Sequence, residues 1–281
     1  MEPTDFKRAS HAIWEAMAPG WEERHAWLET HARPVTERML EALRPERGTT
    51  VLELAAGTGV VGFTALAALD RELRLIVSDF APAMVDAARR RGAELGFENV
   101  EYRLLDAEAL ELPDESVDRV LCRWGYMLLA NPGRALAETR RVLRSGGRLS
   151  SAVFAAPAEN PWAALPMTVL VESRHLPPPK PSQPGILALA DTRRLQRLFA
   201  DAGLAEPEIA EVRFVWPFAG EDDYWRFLTD MAGAISMAIA RLDEDARTEV
   251  RVELARRVEP YATNGGLEFP AVSLVVAAAR P

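Results

Sequence analysis

An apolar strand pattern that runs directly into a glycine-rich turn is the feature that most constrains the fold of this chain. Residues 51–62 have the sequence Val-Leu-Glu-Leu-Ala-Ala-Gly-Thr-Gly-Val-Val-Gly, and a helix pattern follows. Glycine at such a turn lets backbone N–H groups approach a ligand at the helix N-terminus. This arrangement is typical of nucleotide-binding α/β folds, so Gly57 and Gly59 are candidate ligand contacts.

A carboxylate stands at the end of the predicted strand and narrows the choice of ligand. The negative charge of Glu53 would repel a dinucleotide pyrophosphate, but it suits a ligand that carries an ammonium and a sulfonium. The residue types therefore predict S-adenosylmethionine as cofactor, with Glu53 at its methionyl end. The alternative is a tight turn that binds no ligand; we disfavour it because no structural element is expected to need an acid there.

The same glycines also match a second cofactor class. Residues 57–62 fit the G-x-G-x-x-G fingerprint of nicotinamide dinucleotide sites. Asp79 lies near the position, about 20 residues beyond the glycines, where an acid binds the ribose in either class. Spacing leaves both cofactors open, so a nicotinamide-dependent oxidoreductase remains the alternative enzyme.

Composition limits the classes of protein that the chain can form. With 281 residues, 48% of them hydrophobic, the chain can bury a large core. Its net charge of −9 disfavours nucleic acid as a partner, because phosphate backbones are bound by clustered lysine and arginine. Cys122 is predicted to be a core thiol, and the histidines and cysteine show no metal-ligand spacing, so no metal is expected. The N-terminus lacks a signal core and no apolar run nears the roughly 18 residues of a membrane span, which predicts a cytoplasmic protein without membrane insertion.

Strand and helix patterns alternate through most of the sequence. Residues 6–43 carry helical periodicity, which predicts two or three helices in an N-terminal cap at 1–45. Residues 46–281 are predicted to form a doubly wound, mostly parallel, seven-stranded α/β sheet. The predicted strands are 50–54, 74–78, 100–104, 117–122, 148–154, 209–216 and 271–278, and the predicted helices among them are 60–69, 81–95, 133–143 and 192–202.

Two long segments interrupt this alternation. Residues 155–190 contain eight prolines and are predicted to be a long loop that serves as a lid or binding element. Residues 221–258 predict two helices within an insertion at 221–266. The apolar side chains of both segments predict a hydrophobic acceptor chamber, with a homodimer interface as the alternative. They are Trp162, Leu165, Met167, Phe218, Tyr224, Trp225, Phe227, Met231 and Met237.

Four pieces of the sequence together carry a family resemblance. They are Glu-Leu-Ala-Ala-Gly-Thr-Gly at 53–59, Ile-Val-Ser-Asp-Phe at 76–80, Leu-Asp-Ala-Glu at 105–108 and Arg-Val-Leu-Arg-Ser-Gly-Gly-Arg-Leu at 141–149. Over residues 51–154 the chain resembles class I S-adenosylmethionine-dependent methyltransferases with a Rossmann-like fold, most nearly those of ubiquinone and menaquinone biosynthesis. It departs from the family at Ala55, where glycine is usual, and at Ser145, where proline is usual. The first departure is expected to reshape the methionine pocket.

The resemblance implies roles for the side chains around the glycine turn. Asp79 is expected to accept the ribose hydroxyls, with a helix N-cap as its alternative role. Asp106 and Ala107 follow the third strand, where family members hold the adenine amino group, and a loop cap is the alternative role for Asp106. Phe80 and Met84 are expected to line the adenine, although core packing would also explain them.

The sequence leaves more than one role open for the residues on the predicted substrate side. Arg123 ends the fourth strand, where ligands bind in open α/β sheets, and could pair with the cofactor carboxylate, an acidic acceptor or a loop carboxylate. Trp124 and Tyr126 beside it could shape an aromatic acceptor site or pack in its rim. Similar enzymes place an aromatic lid from the N-terminal helices over the cofactor, and Trp14 and Trp21 are expected to supply it here. Ordinary packing within the cap is the alternative role for both.

The predicted reaction is in-line transfer of a methyl group to an oxygen, nitrogen or carbon atom of a hydrophobic small molecule. Such transfer depends on orientation and on exclusion of water, so a general base is optional. His25, His31 and Tyr126 are the candidate bases, and a surface role is the alternative for the histidines. A partner subunit that binds the cofactor without chemistry is the non-enzyme alternative.

Overall fold

The computed structural model of the chain describes residues 3–180 and 183–281, and a mixed sheet forms its centre. The strands are β1 (Thr50–Glu53), β2 (Arg74–Asp79), β3 (Val100–Leu104), β4 (Val117–Arg123), β5 (Leu143–Phe154), β6 (Glu208–Phe218), β7 (Ala262–Thr263) and β8 (Gly266–Ala279). Their order is β3-β2-β1-β4-β5-β8-β6, and the short β7 pairs with β8. The five strands β3, β2, β1, β4 and β5 run parallel to one another, whereas β8 is antiparallel to β5 and β6 on its two sides. The predicted doubly wound, mostly parallel fold is confirmed, with β7 as an eighth strand beyond the predicted seven.

Helices cover both faces of this sheet. They are α1 (Pro3–Glu23), α2 (His25–His31), α3 (Arg33–Leu43), α4 (Val60–Ala68), α5 (Pro82–Glu94), α6 (Pro132–Val142), α7 (Pro161–Glu172), α8 (Thr192–Asp201), α9 (Glu221–Asp230), α10 (Ala234–Ala240) and α11 (Glu244–Val258). The chain moves outward from β1 to β3 and then in the opposite direction from β4, so right-handed crossovers place α4 and α5 opposite α6. The crevice between β1 and β4 is therefore the point where open α/β sheets bind ligands. None of the helices in the described residues is both long and apolar enough to cross a membrane.

The N-terminal helices pack directly on the sheet domain. In α3, Val35, Met39 and Leu43 recur every four residues on one helix face and are fully buried. This face contacts β5 and β8, while α1 packs against α5. Three helices thus precede the sheet, and a domain boundary near residue 45 stays a prediction.

The proline-rich segment contains a helix that the sequence did not predict. Pro161 occupies the start of α7, where a missing N–H costs nothing because it would have no partner within the helix. Pro166 lies inside α7 and cannot donate to the carbonyl of Trp162 one turn earlier. That carbonyl instead accepts the hydroxyl of Tyr224 on α9, at 2.5 Å. The prediction of a long loop was wrong over α7. The hydroxyl that replaces the missing N–H of Pro166 comes from a distant part of the sequence, so no local pattern indicates it.

The insertion before β8 forms three helices where the sequence predicted two. Gly233, with φ +58°, separates α9 from α10. Asp243 begins α11, since its carboxylate accepts the N–H of Ala246 at 2.9 Å. The helices α9 and α10 pack together, and α10 and α11 both contact α7. The two insertions therefore build one helical layer over one edge of the sheet.

Candidate active site

A large cavity lies at the carboxyl ends of the parallel strands. It encloses about 1400 Å³, including the part open to solvent. The strand order divides its lining into an acidic half at β1, β2 and β3 and an aromatic half at β4, β5 and β6. The predicted cofactor residues that line it are Trp21, Glu53, Ala55, Gly57, Asp79, Phe80, Met84, Asp106, Ala107 and Arg123.

Glu53 ends β1 and is buried, with only 2% of its surface exposed. Its Oε2 accepts the N–H of Gly62, in the first turn of α4, at 2.9 Å, so the side chain satisfies a helix-end donor. The premise that no structural element needs an acid here was wrong. Burial is the main cause that raises the pKa of Glu53 to about 7, against the opposing effects of the Gly62 hydrogen bond and the Arg123 charge. A carboxylate has four acceptor sites, so capping α4 leaves capacity to bind a ligand cation.

The turn after β1 holds several residues in the left-handed region. Ala55 has φ +48°, Gly57 +55° and Gly59 +77°. A Cβ on Gly57 would lie 3.7 Å from the Trp21 ring. A Cβ on Gly59 would lie 2.6 Å from the Phe63 ring, and Gly59 does not line the cavity. The backbone at the start of α4 therefore explains the glycine at position 59, and a ligand contact is not needed to explain it.

Asp79 ends β2 and holds two backbone segments at once. Its Oδ2 accepts the N–H of Gly57 at 3.0 Å, and its Oδ1 accepts the N–H of Ala81 at 3.1 Å. Burial raises the pKa of Asp79. The carboxylate thus fixes the glycine turn and the start of α5, and it keeps acceptor capacity that a ribose hydroxyl could use.

Asp106 follows β3 and is bound by Lys7, a residue that sequence reasoning missed. Lys7 Nζ lies 2.7 Å from Asp106 Oδ2 and 2.9 Å from Glu108 Oε2. Asp106 Oδ1 accepts the N–H of Glu108 at 2.8 Å. Lys7 lies on α1, far from Asp106 in sequence, and no local pattern marks it. A ligand amino group that binds Asp106 must share its carboxylate with this lysine.

Aromatic side chains of α1 cover the acidic half. Trp21 Nε1 donates to the carbonyl of Met231 at 3.3 Å, which holds the ring over the glycine turn. Trp14 meets Trp21 edge-on, with ring centroids 5.8 Å apart. Phe80 and Met84 pack in the same small cluster and also line the cavity. All four residues therefore pack together and line the cavity, and their predicted roles toward a cofactor stay predictions.

Buried rings line the aromatic half. Trp124 stacks on Phe154 at 4.8 Å between centroids and meets Trp216 edge-on at 5.9 Å. Trp162 contacts Phe154 at 5.0 Å and Phe227 at 5.8 Å. The indole N–H of Trp216 is buried and has no hydrogen-bond partner among the residues that the structure describes. Sequence reasoning missed Phe154 and Trp216 because their strand positions indicate only burial.

The predicted chamber residues divide between the cavity and its surroundings. Trp162, Phe227 and Met231 line the cavity. The remaining six do not line it, and Tyr224, which supports α7, is one of them. Only part of the residues predicted for the acceptor chamber therefore lie in the cavity wall.

A strained residue follows β4 at the border between the two halves. Trp124 has φ +59°, a region that bulky side chains rarely adopt. Its backbone N–H donates to Ala152 at 2.8 Å and its Nε1 donates to Ser273 Oγ at 3.0 Å. These bonds hold the ring in the cavity wall beside Arg123, whose Nη1 donates to Thr36 Oγ1 at 2.9 Å.

The structure does not bring the three candidate bases to the cavity. His25 Nδ1 lies 2.6 Å from the carbonyl of Glu22, and His31 packs on Trp27 at 5.2 Å between rings. Tyr126 is buried, and its hydroxyl lies 2.6 Å from Thr139 Oγ1. Burial raises the pKa of Tyr126 well above its ordinary value. None of them lines the cavity, and no group of three or more potential metal ligands occurs in the described part of the chain.

Comparisons with known proteins agree with this architecture. The family described as "Methyltransferase domain" matches residues 52–151. An uncharacterized 37.1 kDa protein in transposon TN4556 of Streptomyces fradiae is 34% identical over 223 residues, which are 76% of this chain and 61% of that protein. The ubiquinone/menaquinone biosynthesis C-methyltransferase UbiE of Methylobacterium nodulans is 38% identical over 112 residues, 39% of this chain and 44% of that enzyme. The matches therefore span less than two thirds of either relative.

A solved structure extends the likeness beyond the matched domain. Phosphoethanolamine N-methyltransferase 2 of Haemonchus contortus, in complex with S-adenosyl-L-methionine, has a TM-score of 0.54 at 15% identity, over 88% of this chain and 52% of that chain. At this identity the likeness is one of fold. The family match shows that residues 52–151 carry a methyltransferase domain, and the structural likeness shows that the fold around this domain is shared.

Proposed function

We propose that the chain transfers the methyl group of S-adenosylmethionine to an oxygen, nitrogen or carbon atom of a hydrophobic small molecule. The observation that carries this proposal is the union of an acidic half and an aromatic half in one cavity. Methyl transfer requires that the sulfonium and the acceptor meet in line with water excluded. A cavity with one half for each partner is suited to that task.

The acidic half supports the cofactor assignment through the order of its carboxylates. Glu53, Asp79 and Asp106 stand at or just beyond the ends of the adjacent strands β1, β2 and β3. Because neighbouring strands are about 4.8 Å apart, the three carboxylates span roughly 10 Å. In the proposed pose they meet the methionyl, ribose and adenine parts of the cofactor in that order, and Trp21 covers the methionyl end.

The aromatic half supports a planar, apolar acceptor. Flat rings and apolar side chains bury such a molecule without leaving polar groups unpaired. The UbiE relative is named for ubiquinone and menaquinone biosynthesis, and that name favours a small-molecule acceptor here as well. Since none of the candidate bases lines the cavity, we infer that orientation and solvent exclusion supply most of the catalysis.

A turnover assay with acceptor analogues tests the proposal. Phenols, quinols and polyketide-like acids would be incubated with S-adenosylmethionine, and formation of S-adenosylhomocysteine would be measured. We expect turnover of at least one planar acceptor. Trp162→Phe should raise its KM, whereas Trp225→Phe, a matched change in α9 outside the cavity lining, should leave KM unchanged. Tight S-adenosylhomocysteine binding without any turnover would instead favour a non-catalytic partner subunit.

A further inference from the structure

Arg123 is a cavity-lining cation that forms no salt bridge within the described part of the chain. A guanidinium has five N–H donors, and here Nη1 donates to Thr36 Oγ1. Its Cζ lies 4.8 Å from the centre of the Trp124 ring. The other cation in the lining, Lys7, is by contrast paired with two carboxylates.

The two carboxylates whose charges act on Arg123 each have another partner. Glu53 caps α4 through Gly62, and Glu29 Oε2 lies 2.5 Å from Arg91 Nη2. Both carboxylates act on Arg123 through their charge, while burial lowers the pKa of Arg123 to about 10. The guanidinium is still charged at neutral pH, so the cavity wall presents a partly desolvated cation with unused donors. Such a group gains most from an anion that it can bind through two parallel hydrogen bonds.

The position of Arg123 favours an anion on the acceptor side. Its side chain reaches toward Thr36 on α3 and lies over Trp124, the first ring of the aromatic half. The cofactor pose proposed above places the methionyl group at Glu53 and the glycine turn that follows β1. A carboxylate bound to Arg123 would therefore accompany a ring system that lies against Trp124.

We propose that the methyl acceptor is a planar aromatic acid whose carboxylate is bound by Arg123. This assignment rests on the proposed methyltransferase function and names the class of its acceptor. The carboxylate of the cofactor could bind Arg123 in the same way. The test below therefore distinguishes the acceptor carboxylate from the cofactor carboxylate.

The test uses 2-naphthoic acid and its primary amide, 2-naphthamide, as probes. Binding of each would be measured by calorimetry at pH 8 on protein saturated with S-adenosylhomocysteine. The parent protein should prefer the acid by about tenfold or more, the gain expected from a charge-assisted hydrogen bond. Arg123→Met should abolish this preference and change S-adenosylhomocysteine affinity by less than about threefold. Arg123→Lys, which keeps the charge but loses the planar fork, should retain part of the preference.

Arg119→Met is the matched control. Arg119 lies on the same strand, and its guanidinium lies 3.3 Å from Glu46, outside the cavity lining. This variant should keep the full preference for the acid, and melting curves would verify that all variants fold. If the parent shows no preference, or if Arg123→Met keeps it, the proposal is wrong. Loss of S-adenosylhomocysteine affinity in Arg123→Met with the acid preference intact would assign Arg123 to the cofactor carboxylate. If the parent does not bind S-adenosylhomocysteine at all, the proposed function itself fails.

Discussion

Glu53 shows that a residue predicted to bind a ligand can also stabilise the fold. Its carboxylate satisfies an N–H at the start of α4 and lines the cavity at the same time. The sequence indicated the ligand role from charge alone, but the capping role needed the geometry of the turn. The outcome is a buried acid with a raised pKa, so its protonation is linked to the stability of the fold.

The first prediction concerns this linkage. The pKa of Glu53 is about 7, above its ordinary value of 4.5, so the folded protein holds more protons than the unfolded chain between these pH values. The contribution of Glu53 to the free energy of unfolding should therefore fall as pH rises from about 4.5 to about 7. Glu53→Gln removes this titration and should be more stable than the parent at pH 8 by about 1–3 kcal/mol. Urea unfolding at pH 5 and pH 8 measures the difference, and a stability gap that does not change with pH would contradict the account.

A second prediction concerns Ala55, where this chain departs from the glycine usual in similar enzymes. The left-handed φ of +48° costs a non-glycine residue about 1 kcal/mol, while glycine loses a comparable amount through its more flexible unfolded state. Ala55→Gly should therefore be neutral or stabilising by up to about 1 kcal/mol. Ala67→Gly, the same change at an exposed site of α4, should cost about 1 kcal/mol. Equal losses in both variants would show that Ala55 is not strained.

At the scale of whole elements, the sequence pattern predicted a helix or strand correctly where residues nearby in the sequence determine it. Val120, Leu121 and Cys122 form a short apolar run, and the strand predicted at 117–122 differs from β4 by one residue at its end. Local patterns failed where a distant residue decides the outcome. The helix α7 depends on a hydroxyl from α9, and Lys7 reaches Asp106 from α1.

The third prediction tests how α7 tolerates its internal proline. Tyr224→Phe removes the hydroxyl bonded to the carbonyl of Trp162 and leaves that buried acceptor unpaired. The free energy of unfolding should fall by about 1–3 kcal/mol. Tyr261→Phe is the matched control, since Tyr261 packs on Phe269 through its ring, 4.9 Å between centroids. It should cost less than about 0.5 kcal/mol. A Tyr224→Phe variant as stable as the control would show that α7 does not need this bond.

At the scale of the whole molecule, the sheet determines where chemistry is possible. The reversal of strand order between β1 and β4 opens the crevice, and both insertions close over its aromatic side. The sequence predicted the sheet and most of the acidic half, because strand ends and glycine turns are local signals. It did not predict which rings enter the cavity, since Trp162 lines it while Trp225 does not. That choice depends on how three insertion helices pack. Homodimer formation and a cytoplasmic location stay predictions.

Calorimetry with S-adenosylhomocysteine and NADH on the same protein tests most directly whether the cavity binds S-adenosylmethionine and not a nicotinamide dinucleotide. Both ligands carry an adenosine that could reach Asp79 and Asp106, but the dinucleotide places a pyrophosphate beside Glu53 and the other places an ammonium there. We expect binding of S-adenosylhomocysteine, weakened in Glu53→Gln, and no measurable binding of NADH. Binding of NADH in the absence of S-adenosylhomocysteine binding would contradict this expectation.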